Sequence, residues 1–371
     1  MRVLLTATVQ SHICQFHKPL VEVLHKRGYE VHVAARDNLA EKNGLKLDFA
    51  DSVFNVPFSR SPKSKDNIEA YKQIKKIINE GQYDIIHCNT PMGGIVTRLA
   101  ARKARKNGTK VIYTAHGFHF YKGAPKKNWI IFYPVEKLFS RLTDVLITIA
   151  DEDYKIAADK FHCNVEHIHG VGVDEGRYSP VSAEEKRKLR SDLGYNAEEK
   201  IILCVGELLP NKNQKMAIRA MRRVVESFPD SKLLIAGNGP EKECLEAEIE
   251  ACGLQDNVHL LGYCTCLEKY QRISDLLVAC SHREGLGLNV IEAMLTENPV
   301  VASVNRGHRE LVQNGKTGYL VSCSEEMAKK VLEILNDSQK RNKMGEAGRA
   351  AARDYGASNV KREVEAIYAK L

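Results

Sequence analysis

No stretch of the 371-residue chain approaches the ~18 uninterrupted apolar residues of a membrane span, and its opening residues, MRVLLTATVQSH, turn polar too soon for a signal peptide. The expectation is a cytoplasmic protein. The ten cysteines include no CxxC pair, the nearest two being Cys264 and Cys266, so a cysteine metal site is not expected. Most of the ten, Cys88, Cys204 and Cys280 among them, lie in apolar stretches, which suits buried thiols in a reducing compartment. A nucleotide P-loop is missing too. Gly315-Lys316-Thr317 has the right ending, but the glycine required five residues earlier is Glu310. The basic residues come with no recognised nucleic-acid module, so nucleic acid is not an expected partner.

What is present is apolar material for two cores. Apolar residues make up 43% of the chain, and its length suggests two domains at ~150 residues each. Short apolar strands alternate with amphipathic helices throughout. In the first part, strands are expected at 2–9, 30–35, 53–56, 84–89, 110–117 and 144–150, with helices at 16–27, 67–79, 93–106 and 128–142. In the second, strands are expected at 201–206, 232–239, 258–263, 276–280 and 300–303 and helices at 213–227 and 240–252, followed by a helical C-terminus from residue 325. Such alternation implies βαβ crossovers and two doubly wound parallel sheets, each binding ligands beyond its C-terminal strand ends.

The most demanding stretch is Ser281 to Met294, SHREGLGLNVIEAM: a strand end, a glycine loop and a helix start. Gly285 and Gly287 permit a tight turn, and the helix that follows offers unpaired N–H groups to an anion. Glu284 and Glu292 stand eight residues apart, so a ligand along the helix meets a carboxylate at each end. Two further strand ends carry glycine: Gly206, followed by Lys212, and Gly237 with Gly239. Lys212 beside a helix N-terminus would neutralise a diphosphate. On the first sheet, Ser11 and His12 lie in a polar loop after the first strand, and His116 and His119 follow the strand KVIYT.

Glu284, Gly285, Gly287, Leu288, Glu292 and Ala293 resemble, residue by residue, the E-x7-E signature of family 4 glycosyltransferases, retaining enzymes of the GT-B fold. Leu286 departs from it, standing where the family usually has an aromatic residue. Gly172, Val173 and Asp174 match the family's junction between domains. The resemblance implies two Rossmann-like domains facing a central cleft: an acceptor-binding domain (1–175), a nucleotide-sugar donor-binding domain (176–355) and a final helix (356–371) packing back on the first. It assigns catalytic roles to His116, Lys212 and Glu284. Donor binding falls to Gly206, Glu207, Lys212, Asn213, Gly237, Gly239, Tyr263, Arg283, Glu284, Gly285, Leu286, Gly287, Leu288 and Glu292. Glu207 replaces the family's usual arginine and leaves the phosphates one cation short, unless N–H groups or Arg283 compensate. The pairing of GEL with NKN resembles capsule and exopolysaccharide members.

The resemblance implies transfer of a hexose or N-acetylhexosamine from a nucleotide diphosphate sugar, UDP-linked by family habit, with no metal or further cofactor. Ser11, His12 and His119 are expected near an acceptor. Asp151-Glu152-Asp153 has the D-x-D form of a metal-dependent transferase, but reads better as the acidic start of a helix. The net charge is uneven, +7 over residues 1–175 and +1 over 176–371, and between 101 and 141 only Glu136 offsets ten basic residues. That surface suits anionic lipid and a polyprenyl-diphosphate-linked saccharide acceptor at the inner membrane face. Competing readings are a nucleotide-sugar 2-epimerase and a non-catalytic sugar-nucleotide-binding partner of a membrane complex.

Overall fold

The computed structural model describes residues 1–41 and 45–371. It divides into two compact units, 1–172 with 357–371, and 173–356. In the first unit, strands β1 (Arg2–Val9), β2 (Glu30–Arg36), β3 (Ser52–Asn55), β4 (Ile85–Asn89), β5 (Lys110–Ala115), β6 (Val145–Thr148) and β7 (Asn164–His167) form one sheet in the order β3-β2-β1-β4-β5-β6-β7. In the second, β8 (Ile201–Val205), β9 (Lys232–Ala236), β10 (Val258–Gly262), β11 (Leu276–Ala279), β12 (Val300–Ser303) and β13 (Gly318–Val321) run β10-β9-β8-β11-β12-β13. Every pairing is parallel. The strand order reverses between β1 and β4 and between β8 and β11, and each reversal opens a crevice at the C-terminal strand ends.

Near-continuous apolar strands are needed because both sheet faces are covered. In β8, Ile202 and Cys204 enter the core on one face, while Ile201 and Leu203 enter the core on the other. At the opposite strand ends, four aspartates fix the register. Asp51, Asp84, Asp144 and Asp275 each sit just ahead of a strand and accept the backbone N–H of a neighbouring strand's start: Val31 (2.7 Å), Arg2 (2.6 Å), Val111 (2.7 Å) and Ile201 (2.9 Å). An otherwise orphaned donor is thereby satisfied at each edge.

Several expectations need correction. Residues 8–12 are not a loop: β1 runs directly into a helix, Gln10–Phe16, and a second helix, Lys18–Lys26, follows a break at His17. Pro19 in the first turn of the second helix has no N–H to continue the first. The helix expected at 93–106 starts at Pro91 and is interrupted at Ala101. Strand β13 and the helices Leu267–Ile273 and Arg306–Leu311 were not foreseen. All are short, and the pattern is weak over so few residues.

The last helix, Ala357–Tyr368, belongs to the first unit. Lys361 pairs with Glu22 at 2.5 Å, Glu363 with His169 at 2.6 Å, and the Tyr368 hydroxyl meets His87 Nδ1 at 2.7 Å under the sheet. All ten cysteines are free thiols, with Cys88, Cys204 and Cys280 buried. No helix among the described residues is long and apolar enough to cross a membrane.

Candidate functional site

In the second unit the site is built at the β8/β11 reversal. After β8 the chain passes Gly206 and forms a 3-10 turn, Pro210–Lys212, with Asn213 in the left-handed region at φ 50°. Lys212 then lies back across Gly206, where a β-carbon would touch its side chain at 3.4 Å, and its Nζ reaches Glu284 Oε1 at 2.6 Å. Asn211 clamps the two loops together. Its carbonyl accepts from the His282 N–H at 2.8 Å, and its amide donates to the Arg283 carbonyl at 3.0 Å. Helix Leu288–Leu295 starts at this point with Gly287 as its cap; the Val290 N–H donates to the Gly287 carbonyl and to Asn289 Oδ1, each at 3.0 Å, so the N–H groups of Leu288 and Asn289 are the ones without an acceptor in the helix. Asn289 ties that end to the last residue of β8, donating to the Val205 carbonyl at 2.9 Å. Lysine, carboxylate and helix N-terminus therefore occupy one corner of one crevice.

Gly237 and Gly239 are close-approach positions. A β-carbon on Gly237 would fall 2.0 Å from the Gly206 carbonyl oxygen, and one on Gly239 2.3 Å from that of Leu208. They are glycines because the loop after β8 lies on them backbone to backbone, with the Leu208 N–H donating to Asn238 and the Glu241 N–H to Leu208. Leu286 packs on the core below, and Tyr263 and Arg283 are exposed, Tyr263 at the end of edge strand β10. Glu207 is exposed, and its backbone carbonyl accepts from Gln214.

Glu292, on the helix, is half-buried. Burial raises its carboxyl to about 7, against the opposing pull of the Tyr178 hydroxyl and the Arg177 guanidinium and with a small push from Glu268. Below the ordinary carboxylate range Glu292 is neutral whether the chain is folded or not. As pH climbs toward 7 the unfolded chain ionises first, so stability falls, and above 7 the penalty is constant. Glu292→Gln removes this dependence. The variant is expected to match the native chain at pH 4 and exceed it by about 3 kcal/mol at pH 8 in urea unfolding, at ~1.4 kcal/mol per pH unit of displacement.

Residues 303–308 support the Glu284 loop and were missed in the sequence. Ser303 and Asn305 both donate to the Ser281 carbonyl, at 2.7 and 2.8 Å, and a β-carbon on Gly307 would meet that of Glu284 at 2.9 Å. His308 is buried, its Nδ1 between the Ser303 carbonyl (2.8 Å) and the Asn305 amide (2.9 Å), while its Nε2 has no protein partner. Burial lowers its pKa, and Glu284 and Lys212 are near enough to act on it. The available signal was Asn305, a helix cap directly after an apolar strand.

In the first unit, His116 follows β5 and places its Nε2 3.2 Å from that of His12 and 3.4 Å from Asn89 Oδ1. Ser11 is buried against Asn38, and the His119 ring stacks on Phe132. The acidic triplet opens helix Asp151–Lys160 and holds the loop after β5: the Phe118 N–H donates to Asp153 at 2.9 Å and the Lys122 N–H to Glu152. Beside it lies a cavity of about 670 Å³ lined largely by apolar groups, including Met92, Ile95, Ile131 and Phe132, with His12 and Arg60 at its polar part.

Residues 185–351 match the family described as Glycosyl transferases group 1, and residues 2–150 match Glycosyl transferase 4-like. EpsD of Bacillus subtilis (strain 168), named as a candidate glycosyltransferase, is 40% identical over 371 residues, covering 99% of this chain and 96% of EpsD. The chain belongs to the group 1 glycosyltransferases. An Escherichia coli UDP-Gal:α-D-GlcNAc-diphosphoundecaprenol α-1,3-galactosyltransferase is 27% identical over 300 residues, 77% of this chain and 76% of that one. HepE of Anabaena, solved with UDP, superimposes over 100% of both chains with a TM-score of 0.80 at 22% identity. The glycosyltransferase thus has the two-domain GT-B fold, including the final helix that returns to the first unit.

Proposed function

We propose that this glycosyltransferase moves a hexose or N-acetylhexosamine from a UDP-sugar to a polyprenyl-diphosphate-linked saccharide, with retention at the anomeric carbon, in the synthesis of a cell-surface polysaccharide. The observation that carries the donor half is the pairing of Lys212 with Glu284 at 2.6 Å beside the N-terminus of helix Leu288–Leu295. A diphosphate entering this corner takes over Lys212 and the N–H groups of Gly287 and Leu288, which stabilise the charge that grows as the glycosidic bond breaks. Released from the lysine, Glu284 accepts hydrogen bonds from sugar hydroxyls, and Glu292 binds the ribose. In this scheme fixed positive groups, not a divalent ion, carry the leaving group.

Support for the lipid-linked acceptor comes from helix Lys126–Ser140. It exposes Ile130, Ile131, Phe132 and Leu138, flanked by Lys126, Lys127, Lys137 and Arg141. Apolar side chains ringed by cations suit the interface of an anionic bilayer, and the 670 Å³ cavity adjoins the same helix. The protein would then work at the inner face of the membrane without crossing it.

Product analysis tests the reaction. Incubation with a panel of UDP-sugars should yield a new glycoside only when a polyprenyl-diphosphate saccharide is added. A new epimer formed without acceptor would make the protein an epimerase, and binding without product would make it a sensor. In vesicle co-sedimentation, the native chain should prefer anionic over neutral lipid, and Ile130→Glu with Ile131→Glu should abolish that preference. Equal binding to both lipids would remove the membrane from the proposal.

A further inference from the structure

Three histidines converge at the strand-order reversal of the first sheet. His12 comes from helix Gln10–Phe16, which leaves β1 directly. His17 sits at the break between that helix and the next, and His116 follows β5. One ring nitrogen from each lies within 4.8 Å of the other two. His12 Nε2 and His116 Nε2 are 3.2 Å apart, while His17, 4% exposed, has an Nε2 with no hydrogen-bond partner. Buried polar atoms are rarely left this way.

The surroundings explain why three rings gather here and not four. His87 is the next imidazole, with its centroid 6.3 Å from that of His17. Both its nitrogens are engaged, Nδ1 with the Tyr368 hydroxyl and Nε2 with the Thr114 hydroxyl, each at 2.7 Å. It buttresses the cluster from below the sheet. Phe16 packs edge-on against His12, with ring centroids 4.8 Å apart, and covers one side.

We propose that His12, His17 and His116 form a binding site for one divalent transition-metal ion of the zinc class. Zinc–imidazole bonds of about 2.0–2.1 Å put the nitrogens of a tetrahedral site about 3.3–3.4 Å apart. The His12–His116 separation of 3.2 Å already falls close to this. An all-imidazole set selects zinc, copper, nickel or iron over magnesium and calcium, which favour oxygen. An imidazole ligates in its neutral form, so uptake should weaken as the pH falls. Three ligands leave a fourth position for water or for an oxygen of a bound molecule. The site stands on these three side chains alone, whether or not the protein transfers a sugar.

The test is metal uptake by the full chain after dialysis against EDTA, with zinc added in calorimetry and metal content measured after gel filtration. The native chain should hold one zinc that His17→Gln and His12→Gln each weaken by more than about 100-fold, beyond the loss typical of an outer-shell partner. Both variants keep all ten cysteines, so zinc bound to thiols cancels in the comparison. His25→Gln, altering an exposed ring paired with Asp51, should change nothing. Far-UV dichroism checks that the variants are folded, and His12, partly exposed, is the safer change if His17→Gln misfolds. No tight zinc in the native chain, equal zinc in a folded His12→Gln variant, or equally tight magnesium would each overturn the proposal.

Discussion

Lys212→Ala is expected to lower kcat/KM for sugar transfer by about 10²–10³-fold, the loss typical when one preorganised charge-stabilising donor is removed. Lys212 reaches its position only because the turn at Pro210–Lys212 folds it over Gly206, and its Nζ has Glu284 as partner at 2.6 Å. The lysine lies over the glycine at the loop surface, outside the packed core. Its removal should therefore leave the thermal midpoint nearly unchanged and weaken inhibition by UDP in parallel with kcat/KM. Glu284→Ala should also abolish turnover, but with UDP affinity retained or improved, because the lysine is then released to the diphosphate. A Lys212→Ala enzyme within threefold of native activity would mean that the diphosphate leaves from elsewhere.

The largest stability effect is expected at Asp275. Its side chain, 7% exposed, accepts from Arg190 Nη2 at 2.9 Å, from Lys186 Nζ at 3.1 Å and from the Ile201 N–H at 2.9 Å. Burial pushes its carboxyl up, but Lys186, Arg190 and the Ile201 N–H outweigh this and hold it below the ordinary aspartate range. Asp275→Ala strands the buried Arg190 beside Lys186. Breaking such a buried arrangement costs about 3–5 kcal/mol, which for a unit of this size lowers the thermal midpoint by roughly 10 °C. A depressed native pKa means that the contribution is complete above the unfolded aspartate value near 4 and fades as pH falls through the native one. The gap between variant and native chain should therefore be widest at neutral pH and shrink below about pH 4. An undiminished gap at pH 3 would show that packing, not charge, holds the helix Ala183–Asp192 against the segment Ile273–Asp275.

Much of this architecture was legible because parallel sheets advertise themselves. β1, β4, β8 and β11 are runs of apolar residues with turn signals at their ends, and their alternation with helices prescribes the crossovers. The Glu284–Glu292 stretch was legible for a related reason: its glycines and the following helix belong to one local segment. Contacts set by distant segments were hidden. Nothing local marks Gly237 as the seat of the Gly206 carbonyl, or Gly307 as the support under Glu284, because each glycine answers to a chain segment at least 20 residues away. His17 looked like an ordinary helix residue, but the chain breaks there, ahead of Pro19, and its ring faces His12 and His116.

The loop after β8 is seated by main-chain bonds to Asn238 and Glu241 and by glycines beneath it, and this bears on how such enzymes diversify. Main-chain geometry is indifferent to most side-chain replacements. The position of Lys212 is thus insulated from changes at residue 207, whose side chain is exposed and whose backbone carbonyl carries the bond to Gln214. Surface charge around this corner can be redrawn one residue at a time without dislodging the lysine paired with Glu284.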